Sequence, residues 1–347
     1  MSSFERNMMI CLGILVLGLV AVVFIIPLHQ NVQVRESSQK INIENTENSN
    51  DFVKTVDLDQ SESIELKVST VNFKNIEENS GEINVQFSAQ ILDNFFSKIG
   101  YDLESVTAGN SDVPRFFLAT MPGDIGKISE IKQRKALFFS TILPIILQIN
   151  EEINHDRERL INLKDMIKSR GRLTPIDRLW LIVMAEQYKV ARNDLEALMS
   201  RVDLIPPSLA LAQAAAESGW GTSRFVRQGN AIFGEWTEDA DIGITPRERE
   251  AGKTHKIRKF KSLIESARAY VKNLNTHRAY KQLRVVRSSL RRKGLRPTGE
   301  KLARELKNYS ERGVLYINTL VSIIKVNNLK RLDNVNLMEL KTSDPPI

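Results

Sequence analysis

The sequence predicts a mainly α-helical domain with a small β-lobe, preceded by an N-terminal transmembrane helix and a short α+β or β segment. Three observations carry this reading. An uncharged apolar run from Met8 to Ile26 opens the chain and stops at Pro27. From about Ile125 onward, apolar residues recur at helical spacing. Between Glu235 and Phe260 that period gives way to Gly, Thr, Pro and charge, the composition of a small β-lobe or a loop over a cleft.

As a helix rising about 1.5 Å per residue, Met8–Ile26 is about 28 Å long, enough to cross the hydrocarbon of a bilayer. A cleavable signal peptide has a shorter apolar core and a small-x-small site. None follows Ile26, so residues 1–27 read as an uncleaved signal-anchor. Its flanks, Arg6 on one side and Arg35 and Lys40 on the other, specify orientation only weakly. Residues 28–62, rich in Asn, Ser, Glu and Gln, read as a disordered linker. In residues 63–124, Ile64, Leu66 and Val68, then Ile83, Val85 and Phe87, alternate with polar residues about Asn79-Ser-Gly81, which suits two short strands. No motif gives this accessory segment a function. The single cysteine, Cys11, lies in the apolar run, so the rest of the chain can form no disulfide.

Residues 125–200 read as a helical packing region. Ile128, Ile131, Ala136, Phe139, Ile142 and Leu143 open a helix that Pro144 should kink before Ile145 to Ile153 continue it. Leu160 to Met166 and Pro175 to Tyr188 follow, the latter with Thr174 as cap and Pro175 in its first position, and Asn193 is placed to cap a short helix to Met199. Residues 201–330 form the core domain, with helices expected from Ser262 through Leu274, about Ala279 to Lys293, Thr298 to Leu306 and Val314 to Val326. The tail, 331–347, reads as disordered. Lys and Arg total 49 against 42 Asp and Glu. Much of that excess falls in Arg284 to Arg296, which reads as a solvated helix face. It lacks the aromatic interleaving of a nucleic-acid binder, so no nucleic-acid partner is expected.

The chemistry concentrates in Ala210 to Gly234. Pro206 and Pro207 open an almost wholly apolar helix that Ser208 can cap, and Glu217 sits in its last turn. Gly219 and Gly221 allow a sharp turn, and Trp220 between them is large enough to wall a cleft. Burial and the negative end of the helix both raise the pKa of a carboxylic acid so placed. A proton held near neutral pH is what a general acid for glycosidic cleavage needs. The plain alternative is a helix-terminal Glu in water. Ser223 can cap a second short helix, and Asn230-Ala-Ile-Phe-Gly234 offers an amide for a sugar acetamido or hydroxyl group, with Phe233 as an apolar anchor. Trp236 is a sugar platform or a packing residue.

Glu217-Ser-Gly-Trp-Gly221 followed by Asn230-Ala-Ile-Phe-Gly234 resembles the bacterial peptidoglycan glucosaminidases. Upstream Val113-Pro-Arg-Phe-Phe, Met121-Pro-Gly-Asp and Leu143-Pro-Ile-Ile-Leu-Gln-Ile-Asn-Glu151 resemble their membrane-associated Bax-type branch, as do downstream Tyr270-Val-Lys-Asn-Leu-Asn-Thr-His277 and Tyr309-Ser-Glu-Arg-Gly313. The likeness runs over roughly residues 95 to 330. It implies a lysozyme-like glucosaminidase core at 201–330 that hydrolyses the β-1,4 bond after N-acetylglucosamine, with Glu217 as acid. Thr245-Pro-Arg-Glu248-Arg-Glu250-Ala-Gly252 resembles the T-x-E-x-E-x-G context of a second acid in flagellar glucosaminidases, which points to Glu248, or to its neighbour Glu250. Tyr309 resembles the tyrosine that faces the family's cleft. Either Glu248 activates water, or the substrate acetamido group assists while Tyr309 helps position it. No metal or organic cofactor is implied. The implied partners are glycan strands and, through residues 8–26, the inner membrane, with a single pass that leaves the domain on the periplasmic face. A muramidase or lytic transglycosylase, and a non-catalytic wall-binding protein, remain alternative readings.

Overall fold

The structure, a computed structural model, describes residues 88–239, 241–246 and 256–339. The apolar run at 8–26, the linker, the strands expected between Ile64 and Phe87, and both Glu248 and Glu250 lie outside the described residues.

Helix α1 (Ala89–Lys98) starts where the Ser88 hydroxyl accepts from Ile91 N, and Ala89, Leu92 and Phe96 give it one buried face. Helix α2 (Leu103–Ala108) is capped by Asp102 and closed by Gly109 at φ 79°. The second half of the accessory segment is thus helical, because the strand-like alternation stops at Phe87 and helical spacing begins at Ala89. Helix α3 (Ile131–Lys168) is continuous, where a kink at Pro144 and a separate helix from Leu160 were expected. Proline inside a helix costs roughly 3 kcal/mol. Here every residue from Leu137 to Leu147 is buried, and each large apolar side chain repays about 1.5–3 kcal/mol. By length and hydropathy α3 could cross a membrane, but 78% of its most apolar stretch is buried inside the protein, as in a core helix.

Helix α4 (Pro175–Gln187) keeps the expected Thr174 cap and first-turn proline. In α5 (Leu195–Arg201) the cap is Asp194, whose carboxylate accepts from Ala197 N at 2.8 Å, and not Asn193. Next come α6 (Pro207–Ser218) and the short α7 (Arg224–Gly229). Strands β1 (Trp236–Thr237), β2 (Gly243–Ile244) and β3 (Lys256–Arg258) form an antiparallel sheet in the order β1–β3–β2, with Ile257 of β3 opposite both Trp236 and Ile244. After this lobe the chain returns to helix in α8 (Leu263–Thr276), α9 (Lys281–Arg292), α10 (Gly299–Ala303) and α11 (Val314–Val326), and ends in a 3₁₀ turn, Leu329–Asn334.

Helix α6 is the centre of the fold, packed by α3, α10, α11 and the Leu329–Asn334 turn. Its N-cap residue, Pro206, supplies no side-chain bond. Ser208, expected to cap, lies one residue inside the helix, and its N–H and hydroxyl both donate to Asp333, at 2.8 and 2.9 Å. The carboxylate therefore serves the positive end of α6 from 125 residues away. Gly299 permits the close approach of α10, since a Cβ there would fall 2.2 Å from the Ser208 hydroxyl. This docking also orders the start of the tail: Asp333 is buried, and Val113 bridges to Leu337.

The basic segment is not simply a solvated face. Arg284 and Arg287 are buried, and Arg287, Arg291 and Arg157 converge on buried Asp203, with Arg291 bidentate at 2.5 and 2.7 Å and Arg287 Nε at 3.4 Å. Burial would raise the Asp203 pKa, but the three guanidinium groups hold it below the ordinary carboxylate range. A lowered folded-state pKa stabilises the fold in full above the unfolded value of about 4, and that contribution is lost as pH falls from there through the lowered folded-state value. Asp203→Asn should cost about 3–5 kcal/mol at neutral pH by leaving buried arginines uncompensated. Urea denaturation at a series of pH values from 7 downward checks both statements: the gap between wild type and variant should be widest at pH 7 and should narrow as acid protonates Asp203.

Candidate active site

Glu217 ends α6 half-buried, and the chain then turns back on itself through Gly219, Trp220 and Gly221 at φ 56°, 61° and 80°. Left-handed backbone suits glycine but strains a bulky residue such as tryptophan. Contacts hold Trp220 there: its ring meets Phe139 and Phe138 at 5.2 and 6.0 Å, and the Lys135 ammonium lies 4.7 Å from its centroid. Gly221 has a second reason to be glycine, since a Cβ would come 3.2 Å from both Met121 and Phe138. Ser218 ties off the turn, its hydroxyl donating to Ala214 O and accepting from Gly221 N at 2.9 Å. The Ser-Gly-Trp-Gly run is thus the chemistry of a tight reversal directly after Glu217.

Burial raises the pKa of Glu217, opposed by a hydrogen bond from the Tyr316 hydroxyl and by the charge of Arg312. That bond ends a directed chain. The buried Tyr270 hydroxyl donates to Gln213 Oε1 at 2.8 Å, and Gln213 Nε2 donates to the Tyr316 oxygen at 3.0 Å. Gln213, fully buried, stands one helical turn before Glu217. The Glu217 charge also reaches Tyr280 and Tyr309. All of these tyrosines are pushed up chiefly by burial, Tyr280 to about 12, so they remain protonated donors at neutral pH.

The other residues singled out in the sequence fall into different places. Asn230 caps α7 in left-handed conformation, and its amide nitrogen donates to the carbonyls of Phe260 and Lys261, both at 3.2 Å. That nitrogen fastens the turn to the start of α8, so a sugar is not its first partner. Phe233 is buried and stacks on Tyr270 at 3.9 Å, which makes it core and not a substrate-facing surface. Tyr309 donates to Phe233 O at 3.0 Å and stacks on Tyr316 at 5.6 Å, so it steadies the Asn230–Gly234 turn against α11. Trp236 is 61% exposed on β1, as a platform requires. Gly234, at φ 64°, presses on the acid: a Cβ there would lie 3.3 Å from Glu217 Oε2. Gln213, Tyr270, Tyr316 and Glu235 were not singled out as site residues. Gln213 had a readable signal, as the one amide in an otherwise apolar helix, four residues before the acid. Among the described residues no three His, Cys, Asp or Glu converge as a metal site.

Two substitutions probe this geometry. Tyr316→Phe removes the donor that lowers the Glu217 pKa, so a ¹³C titration of that carboxyl should move to higher pH. Unfolding free energy should also drop by about 1–3 kcal/mol, because Gln213 loses its acceptor. Gly234→Ala should reduce turnover, because the new methyl meets the Glu217 carboxyl, and should cost about 1–2 kcal/mol in unfolding free energy through the left-handed backbone at this position.

Comparison with known proteins bears on the family of the chain. The glucosaminidase family, described as mannosyl-glycoprotein endo-beta-N-acetylglucosaminidase, matches residues 192–329, which run from the loop before α5 through α11. The catalytic domain of the autolysin Auto from Listeria monocytogenes aligns at 20% identity with a TM-score of 0.30, covering 49% of this chain and 96% of that one. Protein bax of Escherichia coli K12 is 35% identical over 210 residues, covering 59% of this chain and 73% of the relative. With that identity over most of the relative's length, the chain belongs to the glucosaminidase family as a Bax-type member.

Proposed function

We propose that this glycosidase is a peptidoglycan hydrolase that cuts the β-1,4 bond following N-acetylglucosamine, with Glu217 as general acid. The observation that carries the reading is the setting of Glu217: half-buried at the end of a buried helix, with its pKa raised by that burial. In the reaction the Glu217 proton passes to the glycosidic oxygen as its bond to the anomeric carbon breaks, and water completes the hydrolysis. The acid must be protonated, so activity falls as pH rises past its pKa, and the raised value carries activity toward neutrality. Trp220 walls the cleft beside the acid and Trp236 offers an apolar face to a sugar ring. Glu248 in the lobe is the base that the flagellar resemblance suggests, and the substrate acetamido group is the alternative to it.

Residues 8–26 anchor the enzyme in the inner membrane with the domain on the periplasmic side, where the substrate lies. The linker at 28–62, as a coil, spans about 30–35 Å. The enzyme therefore works on the membrane-facing side of the wall.

The test is to incubate the full chain, in detergent, with intact peptidoglycan, reduce the products with borohydride and identify the new ends by mass spectrometry. Reduced N-acetylglucosamine ends are expected from the wild type, and Glu217→Gln should lower their rate of release about 10²–10⁴-fold. Muramic or anhydromuramic ends would instead assign a muramidase or a lytic transglycosylase, and no new ends would assign a binding protein.

A further inference from the structure

Glu235 directly follows the glycine that presses on Glu217. We propose that Glu235 is the second carboxylate of the reaction, the base that takes a proton from the attacking water. This rests on the hydrolase reading above.

Position comes first. Gly234 runs so close to Glu217 that a Cβ would lie 3.3 Å from Oε2, so the next side chain leaves the backbone at the edge of the same site. The main chain of Glu235 is fixed there by Arg258 N of β3, which donates to its carbonyl at 2.8 Å. Glu235 therefore sits where the lobe joins the helical core, while Trp236, next along the chain, is exposed. The charges of Glu235 and Glu217 both act on the Tyr280 hydroxyl.

The second argument is what Glu235 lacks. Among the described residues its Oε1 is buried without a hydrogen-bond partner. Stranding such an atom costs about 1–3 kcal/mol, more when the group is charged. Buried carboxylates with a structural task look different in this fold: Asp203 gathers Arg157, Arg287 and Arg291, and Asp333 accepts from Ser208 and Gly299. A half-buried acid with one oxygen stranded, directly after the glycine that presses on Glu217, is what a catalytic task would account for. Among the described residues the charged and titratable groups that act with it are Arg258 on β3 and Tyr280. Burial outweighs the Arg258 charge and lifts Glu235 to about 7, so it exchanges protons at neutral pH.

The step balances with these residues alone. The water oxygen bonds to the anomeric carbon, the bond to the leaving oxygen breaks, Glu217 gives that oxygen its proton, and Glu235 accepts one from water. Solvent exchange then resets the pair.

Full-chain wild type, Glu235→Gln, Glu235→Ala, Glu248→Gln and Glu217→Gln are compared on peptidoglycan across pH 4–9 by release of reducing ends, with circular dichroism confirming fold. Glu235→Gln should lose about 10²–10⁴-fold in kcat/KM. The wild-type profile should have a limb near pH 7 that is absent in Glu235→Gln and kept in Glu248→Gln. Sodium formate, a replacement carboxylate, should raise Glu235→Ala at least about tenfold and leave Glu217→Gln unchanged. The assignment to Glu235 is overturned if Glu235→Gln stays within about threefold of wild type. It is equally overturned if the limb survives the substitution, or if formate restores nothing to a folded Glu235→Ala. Should Glu217→Gln lose activity while Glu235→Gln keeps it, this inference fails alone; should the wild type release no ends, the hydrolase reading fails and takes it along.

Discussion

Everything in this fold answers to one constraint, the burial of α6 on nearly all sides. A helix packed by α3, α10, α11 and the Leu329–Asn334 turn can have only small or apolar residues along most of its surface, hence its run of alanines. Both of its ends must also be satisfied without water. The first is met by Asp333 and the second by a left-handed reversal through Gly219, Trp220 and Gly221. Glu217 is a carboxyl group placed at the edge of that dry helix, and its altered proton affinity follows from the packing with no separate device.

Around the acid, tertiary structure brings together groups that are far apart in the chain. Gln213 comes from the same helix, Tyr270 from α8, Tyr316 from α11 and Tyr309 from the loop before it. The aromatic stacking of Phe233 on Tyr270 and of Tyr309 on Tyr316 fixes rings whose hydroxyls then have few directions left to point. The site is made rigid by its neighbours and not by the short loop that bears its motif.

The local devices were legible in the sequence because they are local. The Thr174 cap with Pro175 behind it, the glycine break after Ser218 and the loss of helical period across the lobe each depend on a few adjacent residues. What could not be read depends on distant partners. Ser208 looks like a cap until Asp333 takes its hydroxyl, Pro144 looks like a break until the buried stretch around it keeps α3 continuous, and Arg287 looks solvated until Asp203 lies within reach. Phe233 and Asn230 were read as substrate-facing for the same reason: their turn resembles a binding loop, and only packing against Tyr270, Phe260 and Lys261 shows how they are engaged. Glu235 went unremarked because nothing next to it in the chain signals that its oxygen is stranded.

The amide of Gln213 has one further consequence. An amide has a donating end and an accepting end, so the chain from Tyr270 through Gln213 to Tyr316 can run in only one sense. Tyr316 receives the Gln213 N–H on its oxygen and spends its only hydrogen on Glu217. Glu217 is therefore met from the protein side by a donor, so a hydrogen of its own has its place away from Tyr316. The interior acts as a rectifier, fixing on which side this carboxyl receives a hydrogen and on which side it can hold one.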